Sequence, residues 1–280
     1  MPAYNSELTI EGCISSIKSQ KYPKEKYEII VVDDESTDNT VQVAKDAGAD
    51  KVITIQHSSS GTARNIGSKQ ARGKILAFID SDCIAQNGWL ETIEKEFQNN
   101  QVIGGPILNG KPDSIVAWAE YLMEFSDFNE HKNRSFVSFV PACNQVCTKE
   151  IFDKIGGFAE GRTTEDVHFG HTLQKAGVKI VFVPEFQIQH MCGTKYTKYI
   201  TKMEKLGMRL MVDIDDVPSR YRKLTKSQAG IPLIFFMKIG ARMLRAISSK
   251  KFSKFIITFP LVVLGSAAFC RGVHKAFKSE

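Results

Sequence analysis

The sequence predicts an α/β fold, in which a doubly wound mixed sheet is flanked by helices and followed by a helical, membrane-associated tail. Apolar runs that end in acidic residues alternate with helix-like segments over the first 110 residues. This alternation is typical of strands that are joined by crossover helices. The tail is indicated by its composition, because residues 220–280 carry 13 Lys and Arg but a single acid.

The elements of the sheet follow from local patterns. Residues 27–32 and 74–79 are continuous apolar runs, which are typical of strands buried on both faces. Apolar residues at helical spacing after Asn5 or Ser6, which would cap the helix, predict the first helix. The remaining predictions for the first half are a strand at 51–55 and helices at 38–48, 62–71 and 87–97. The second half is less regular, with helices predicted at 113–125 and 164–176 and a strand at 178–183.

The net charge of +6 is the sum of two unlike parts. Residues 220–280 sum to +12 and the first 219 residues to −6, so we predict a catalytic domain at 1–219 and a basic tail at 220–280. The longer uncharged run of the tail has 16 residues, about 24 Å as a helix at ~1.5 Å per residue and short of a ~30 Å hydrocarbon core. Membrane contact by an in-plane or re-entrant hairpin is therefore favoured over a clean span, with packing on the body as the alternative.

Cysteines and targeting signals suggest a reducing compartment. The six cysteines form no CxxC pair, which is typical of buried free thiols. The first residues, MPAYNSE, lack the basic and apolar regions of a signal peptide. We therefore expect the cytoplasmic face of the cell membrane. No nucleic acid partner is expected, since the basic residues of the tail alternate with apolar runs that suit lipid headgroups better.

Two acidic clusters follow the two apolar strands. Asp33-Asp34-Glu35 and Asp80-Ser81-Asp82 would meet at the carboxyl edge of the sheet, where hard oxygen ligands can hold Mg²⁺ or Mn²⁺ beside a diphosphate. Strand-end acids also cap helices, which is the alternative for an isolated acid. A phospho-receiver fold would leave most of the chain unused, Ile84 departs from a DxD phosphatase, and no GxGxxG turn supports a dehydrogenase.

An ordered set of motifs fits far more of the chain. These motifs resemble the family-2 glycosyltransferases of GT-A fold over about residues 2 to 207. The segments that carry the resemblance are PAYN at 2–5, VDDESTD at 32–38, GTARNIG at 61–67, DSD at 80–82, Asn144, KEIF at 149–152, GGF at 156–158, TEDV at 164–167, Pro184 and His190.

The resemblance implies a metal-dependent, inverting transfer of a sugar from a nucleoside diphosphate sugar to an acceptor hydroxyl. Asp166 would be the general base, and its place on the first turn of a helix would favour its ionised form. Asp82 and His190 would bind a divalent metal, Mg²⁺ or Mn²⁺. Asn144 and Glu165 would lie on the acceptor side. The donor would be bound by Ala3, Tyr4, Asp34, Glu35, Arg64, Asp80 and Ser81.

The sequence departs from the resembling family in two ways. Members usually carry an apolar strand just before the PAYN-like segment, so a first strand is missing here and an upstream apolar segment is expected. No QxxRW-like motif follows TEDV, which favours a single transfer over polymerisation. A UDP-sugar is the commonest donor in that family, GDP-sugars stay open, and a lipid-linked acceptor fits the tail. The alternatives are a non-catalytic nucleotide-sugar-binding protein and a receiver or phosphatase that transfers phosphoryl groups through Asp80.

Overall fold

A computed structural model describes residues 1–97, 102–161, 164–212, 224 and 228–279. The chain forms two compact units, one of residues 1–108 with 132–191 and one of residues 109–131 with 192–280. The predicted boundary between residues 219 and 220 lies outside the described residues and stays a prediction.

The first unit contains the sheets. Its helices are α1 (Ile10–Lys18), α2 (Thr40–Asp46), α3 (Ser60–Gln70), α4 (Trp89–Glu96), α6 (Lys149–Lys154) and α7 (Glu165–Lys175). Its strands are β1 (Pro2–Ala3), β2 (Ile30–Asp33), β3 (Lys51–Thr54), β4 (Ile75–Ile79), β5 (Cys83–Ala85), β6 (Val102–Gly104), β7 (Ile107–Asn109), β8 (Ser135–Val137), β9 (Asn144–Thr148), β10 (Ile180–Phe182) and β11 (Ile188–His190). The α5 helix (Ile115–Glu124) belongs to the second unit.

The strands form three sheets of mixed direction. One has the order β1-β2-β3 and is parallel throughout, with Val32 opposite Pro2 on one side and Ile53 on the other. A second has the order β4-β9-β6-β10-β8, in which only β6 and β10 run parallel. A third has the order β5-β11-β7. The predicted mixed sheet flanked by helices is therefore confirmed.

Helix α1 begins later than its predicted cap. Asn5 adopts a left-handed conformation with φ of 49°, and its side chain accepts hydrogen bonds from Thr37 instead of capping a helix. Helix α1 starts at Ile10, and its apolar residues, including Cys13 and Ile17, are buried. The predicted helical spacing of the apolar residues is thus correct. The polar turn at Asn5, however, is hydrogen-bonded to the loop after β2 and does not cap the helix.

A cavity of about 810 Å³ lies between β2 and β4. Its lining includes Ile30, Leu76 and Phe78, and β4 is an edge strand of the five-stranded sheet on this side. β1 has only two residues, although Met1 extends its pairing by donating from its amino group to the Ile30 carbonyl at 3.0 Å. β1 is thus a short strand, and the cavity borders both β2 and β4.

The second unit is helical. Besides α5 it contains α8 (Tyr196–Val212), α9 (Ile231–Ser248) and α10 (Phe252–Ser279). α10 contains Pro260 in its interior. By length and composition alone, α10 is the one helix in the described part of the chain that could cross a membrane, and half of its most apolar stretch is buried against protein.

Candidate active site

A pocket of about 400 Å³ opens where β1, β2 and β4 end. It brings together six of the residues that the sequence singles out for donor and metal binding. The predicted residues that line it are Ala3, Tyr4, Asp34, Asp80, Ser81 and Asp82. Ser6, Ser60 and Met191 line it as well, and the Ser6 and Ser81 hydroxyls are hydrogen-bonded at 2.8 Å. The carboxyl ends of strands from two sheets therefore form a polar site that holds both predicted acidic motifs.

One end of the pocket combines an aromatic pair with a carboxylate. The Tyr4 ring lies 4.8 Å from the His57 ring, centroid to centroid, and His57 Nδ1 is 3.0 Å from Asp34 Oδ2. Asp34 Oδ1 accepts a hydrogen bond of 2.7 Å from the Ser58 amide. Glu35 has a positive φ of 63° and accepts a hydrogen bond from the His57 amide rather than lining the pocket. His57 was missed because no motif marks it in the sequence.

Arg64 connects the DSD and TEDV motifs. Its guanidinium is 2.5 Å from Asp80 Oδ1 and 2.9 Å from Glu165 Oε1, and its side chain is buried. Burial lowers the pKa of Arg64, but Asp80 and Glu165 together raise it above its usual value, so the side chain remains a cation. The resemblance implied that Arg64 would bind the donor. In the structure it lies among carboxylates and is absent from the described lining of the pocket.

Asp166 lies on the first turn of α7, as predicted. Its carboxylate accepts a hydrogen bond of 2.8 Å from the Val167 amide. Burial, and next the negative charge of Glu165, raise the pKa of Asp166 to about 7, although the Val167 amide and Arg64 act in the opposite direction. The first turn of α7 was expected to favour the ionised form of Asp166, whereas burial shifts its pKa toward the protonated form.

Asp82 and His190 come together with a third potential ligand. Asp82 Oδ1 is 3.6 Å from His190 Nε2, and Cys83 lies opposite His190 in the β5–β11 ladder. Ligand atoms of all three lie within 4.8 Å of one another, in the one such cluster found among the described residues. Among these ligands the carboxylate suits Mg²⁺ and Mn²⁺, whereas the imidazole and the thiol suit softer ions such as Zn²⁺. Cys83 was missed although it directly follows the DSD motif.

Asn144 is a residue of the core. Its side chain accepts a hydrogen bond of 3.0 Å from Trp89 Nε1 and donates one of 2.8 Å to the Phe186 carbonyl, and the residue is fully buried. The expectation that Asn144 faces the acceptor is corrected by these contacts, because they occupy both ends of the amide. Glu165 is likewise buried, and it accepts hydrogen bonds from Arg64 and Ser60.

The mixed sheets and the acidic pocket at the strand ends define an α/β protein of GT-A-like fold. The chain belongs to glycosyl transferase family 2, whose family model matches residues 1–158. It is 30% identical over 190 residues to the glycosyltransferase AglE of Haloferax volcanii, an alignment that covers 65% of this chain. The aligned part spans 62% of the length of AglE.

Solved structures of low sequence identity share the fold. The mannosyltransferase PcManGT from Pyrobaculum calidifontis, in complex with GDP-Man and Mn²⁺, superposes with a TM-score of 0.63 at 15% identity and covers 100% of this chain and 86% of that chain. Residues 1–349 of Staphylococcus aureus TarS, in complex with UDP-GlcNAc, give a TM-score of 0.56 at 18% identity and cover 99% of this chain and 90% of that chain. Both confirm the GT-A-like fold class.

Proposed function

We propose that the chain is a glycosyltransferase that moves a sugar from a nucleoside diphosphate sugar to an acceptor hydroxyl, with inversion at the anomeric carbon. The observation that carries this proposal is the Arg64 bridge. Arg64 contacts Asp80 of the DSD motif and Glu165 of the TEDV motif. Glu165 lies 101 residues after Arg64 in the chain. A donor-side acid and the neighbour of a candidate base are thereby held in one network.

The donor is proposed to be a nucleotide sugar, with UDP-sugars the first to test. Tyr4 and His57 offer ring faces for a base, and Asp34 offers a carboxylate beside them. The two solved structures support this donor class, because one is complexed with GDP-Man and the other with UDP-GlcNAc. Asp80 and Ser81 would contact the ribose or the sugar at the other end of the pocket.

A divalent metal, Mg²⁺ or Mn²⁺, is proposed at Asp82 and His190, with Mn²⁺ the first ion to test. When bound, such an ion supplies positive charge that stabilises the departing nucleoside diphosphate. The side chains themselves fit this task, since Asp82 lines the polar pocket and its carboxylate lies 3.6 Å from the His190 imidazole. The Mn²⁺ in the PcManGT structure supports the same choice of ion.

Asp166 is proposed as the general base of a single displacement. Its ionised carboxylate would take the proton from the acceptor hydroxyl as that oxygen forms a bond to the anomeric carbon. The bond between this carbon and the diphosphate oxygen would break on the opposite face, which inverts the configuration. A pKa of about 7 suits this role, because the carboxylate is then both available near neutral pH and basic enough to accept the proton.

We propose a single transfer at a membrane surface, on its cytoplasmic face, in glycan or glycolipid synthesis. The basic and apolar character of residues 220–280 supports the membrane part of this proposal. The absence of a QxxRW-like motif from the sequence after TEDV supports a single transfer. A lipid-linked acceptor would present its hydroxyl at the same surface.

The test is a panel of UDP- and GDP-sugars with Mn²⁺ or Mg²⁺, scored by thermal shift and by donor hydrolysis. We expect one donor to stabilise the chain in the presence of a metal and to be hydrolysed slowly. Asp166→Asn should abolish turnover while metal-dependent nucleotide binding persists. Turnover in this variant near that of the unchanged chain would refute the base assignment. Stabilisation without any turnover would favour a non-catalytic binder, and labelling of Asp80 by acetyl phosphate without nucleotide binding would favour phosphoryl transfer.

A further inference from the structure

The last two helices of the second unit form an antiparallel hairpin. Its turn lies at Ser249 to Lys251, where Lys250 has a positive φ of 56°. The start of α9 packs against the second half of α10, since Ile234 and Phe269 belong to one buried cluster. Each of the two helices therefore packs one face against its neighbours and turns the other face outward.

The outward face of α9 is apolar along its length. At 100° per residue, its exposed large apolar side chains fall within an arc of about 100°. These side chains are Leu233, Phe236, Met243, Leu244 and Ile247. A surface helix that faces water normally carries polar residues on its outward side. The apolar outward face of α9 is instead typical of a surface that contacts another partner.

The outward face of α10 is divided into an apolar part and a basic part. The apolar part lies between Phe252 and Leu264 and spans about 18 Å at ~1.5 Å per residue. It exposes Phe252, Ile256, Ile257, Phe259 and Leu264. Beyond it the same face exposes Arg271, Lys275 and Lys278. An exposed apolar stretch of this length is too short for a ~30 Å hydrocarbon core.

The inward face of α10 packs against a charged helix of the same unit. The Tyr199 hydroxyl of α8 donates a hydrogen bond of 3.0 Å to the Leu261 carbonyl, and a side chain at Gly265 would collide with that hydroxyl. α8 also carries Lys202, which is paired with Glu120 at 2.7 Å. A helix bound along one side to such a neighbour cannot be surrounded by lipid, so half of α10 is unavailable to a bilayer.

We infer that the hairpin of α9 and α10 lies in the plane of an anionic membrane surface, with its apolar face in the headgroup and acyl boundary. Charge favours this partner, because the second unit has 19 Lys and Arg against 10 Asp and Glu. The inference rests on the membrane part of the proposed function and adds the orientation of the helices, the residues that enter the lipid and the lipid charge.

The test is flotation of the full chain with vesicles of phosphatidylcholine alone or mixed with phosphatidylglycerol, without donor or metal. Phe236→Glu and Ile256→Glu should each weaken binding to the anionic vesicles by about tenfold or more, an effect of ~1.4 kcal/mol. Phe136→Glu is a matched control, because Phe136 and Phe236 are both 67% exposed but Phe136 lies on β8 of the first unit. Unchanged thermal midpoints would show that all three variants fold.

Orientation is measured by labelling Lys250→Cys and Lys278→Cys with a membrane-impermeant maleimide, since the six native cysteines are buried. An in-plane hairpin leaves both positions reactive from the side to which the protein was added, whereas a spanning helix protects one of them. Any of four results would overturn the inference. These are no binding to vesicles, equal weakening of binding by Phe136→Glu, protection of one labelled position from the maleimide, or variants that alter self-association of the chain but not vesicle binding. Turnover with a water-soluble acceptor is measured separately, so a failure of sugar transfer would be distinguishable.

Discussion

Replacing Asp166 by Asn should remove activity and, at the same time, make the fold more stable above neutral pH. Burial and then Glu165 raise the pKa of Asp166 to about 7, from about 3.8 for an exposed aspartate. The folded chain therefore holds this proton more tightly than the unfolded chain does. Ionising Asp166 in the folded state costs free energy, and an amide of the same shape avoids that cost.

The size and the sign of the effect follow from proton linkage. Below about pH 4 the carboxyl is protonated in both states and contributes no difference. As the pH rises from about 4 to 7, the unfolded chain ionises while the folded chain does not, so stability falls steadily and the loss is complete above pH 7. Three pKa units at ~1.4 kcal/mol each give about 4 kcal/mol, and partial access to solvent reduces this to roughly 2 to 4 kcal/mol.

The assay is urea unfolding of both chains between pH 4 and pH 8.5. Asp166→Asn should exceed the unchanged chain by about 2 to 4 kcal/mol at pH 8 and by less than ~0.5 kcal/mol at pH 4. Asp46→Asn, at an exposed carboxylate that ends α2, should differ by less than ~0.5 kcal/mol throughout. A stability difference that does not change with pH would refute the reasoning. In the unchanged chain, kcat/KM should rise with pH through about 7.

Three further predictions concern the metal site, the Arg64 network and the cavity. Asp82→Ala should remove stabilisation by UDP with Mn²⁺ in a thermal shift assay while leaving the metal-free midpoint within about 2 °C, and retained metal dependence would contradict the assignment. Arg64→Met should leave the buried Glu165 and the partly exposed Asp80 without their cation and cost about 3 to 5 kcal/mol in urea unfolding, so a loss below ~1 kcal/mol would count against the bridge. Five apolar β-branched residues added before Met1 should fill part of the 810 Å³ cavity and raise the thermal unfolding midpoint by about 2 °C or more. A Gly-Ser extension of equal length should leave the midpoint unchanged.

The long elements of the fold were predictable because their patterns are local. The apolar runs at 27–32 and 74–79 became β2 and β4, and the second-half helices at 113–125 and 164–176 became α5 and α7. Most strands of three residues were not predicted, among them β5 and β11, whereas β10 lies within the strand predicted at 178–183. Such short strands carry no periodicity of their own. They exist because a distant partner pairs with them, as Cys83 does with His190, and sequence spacing does not encode that partner.

The residues of the candidate site were likewise predictable only in part. Residues inside motifs were found, because Asp80 and Asp82 follow a strand whose end could be located. His57 belongs to no motif, and it enters the site only through its contacts with Tyr4 and Asp34. Asn144 shows the opposite error, since its place in a family-like segment suggested an exposed role while its side chain joins two parts of the core.

Arg64 explains why the DSD and TEDV motifs should be treated as one electrostatic unit. Its charge is shared between Asp80 and Glu165, and it also lowers the pKa of Asp166, which Glu165 raises. Any change in charge at Asp80 therefore alters how strongly Arg64 offsets Glu165, and so alters the proton affinity of the proposed base. Two motifs that look independent along the chain are thus coupled through one buried cation, and we expect the basicity of Asp166 to depend on the charge at Asp80.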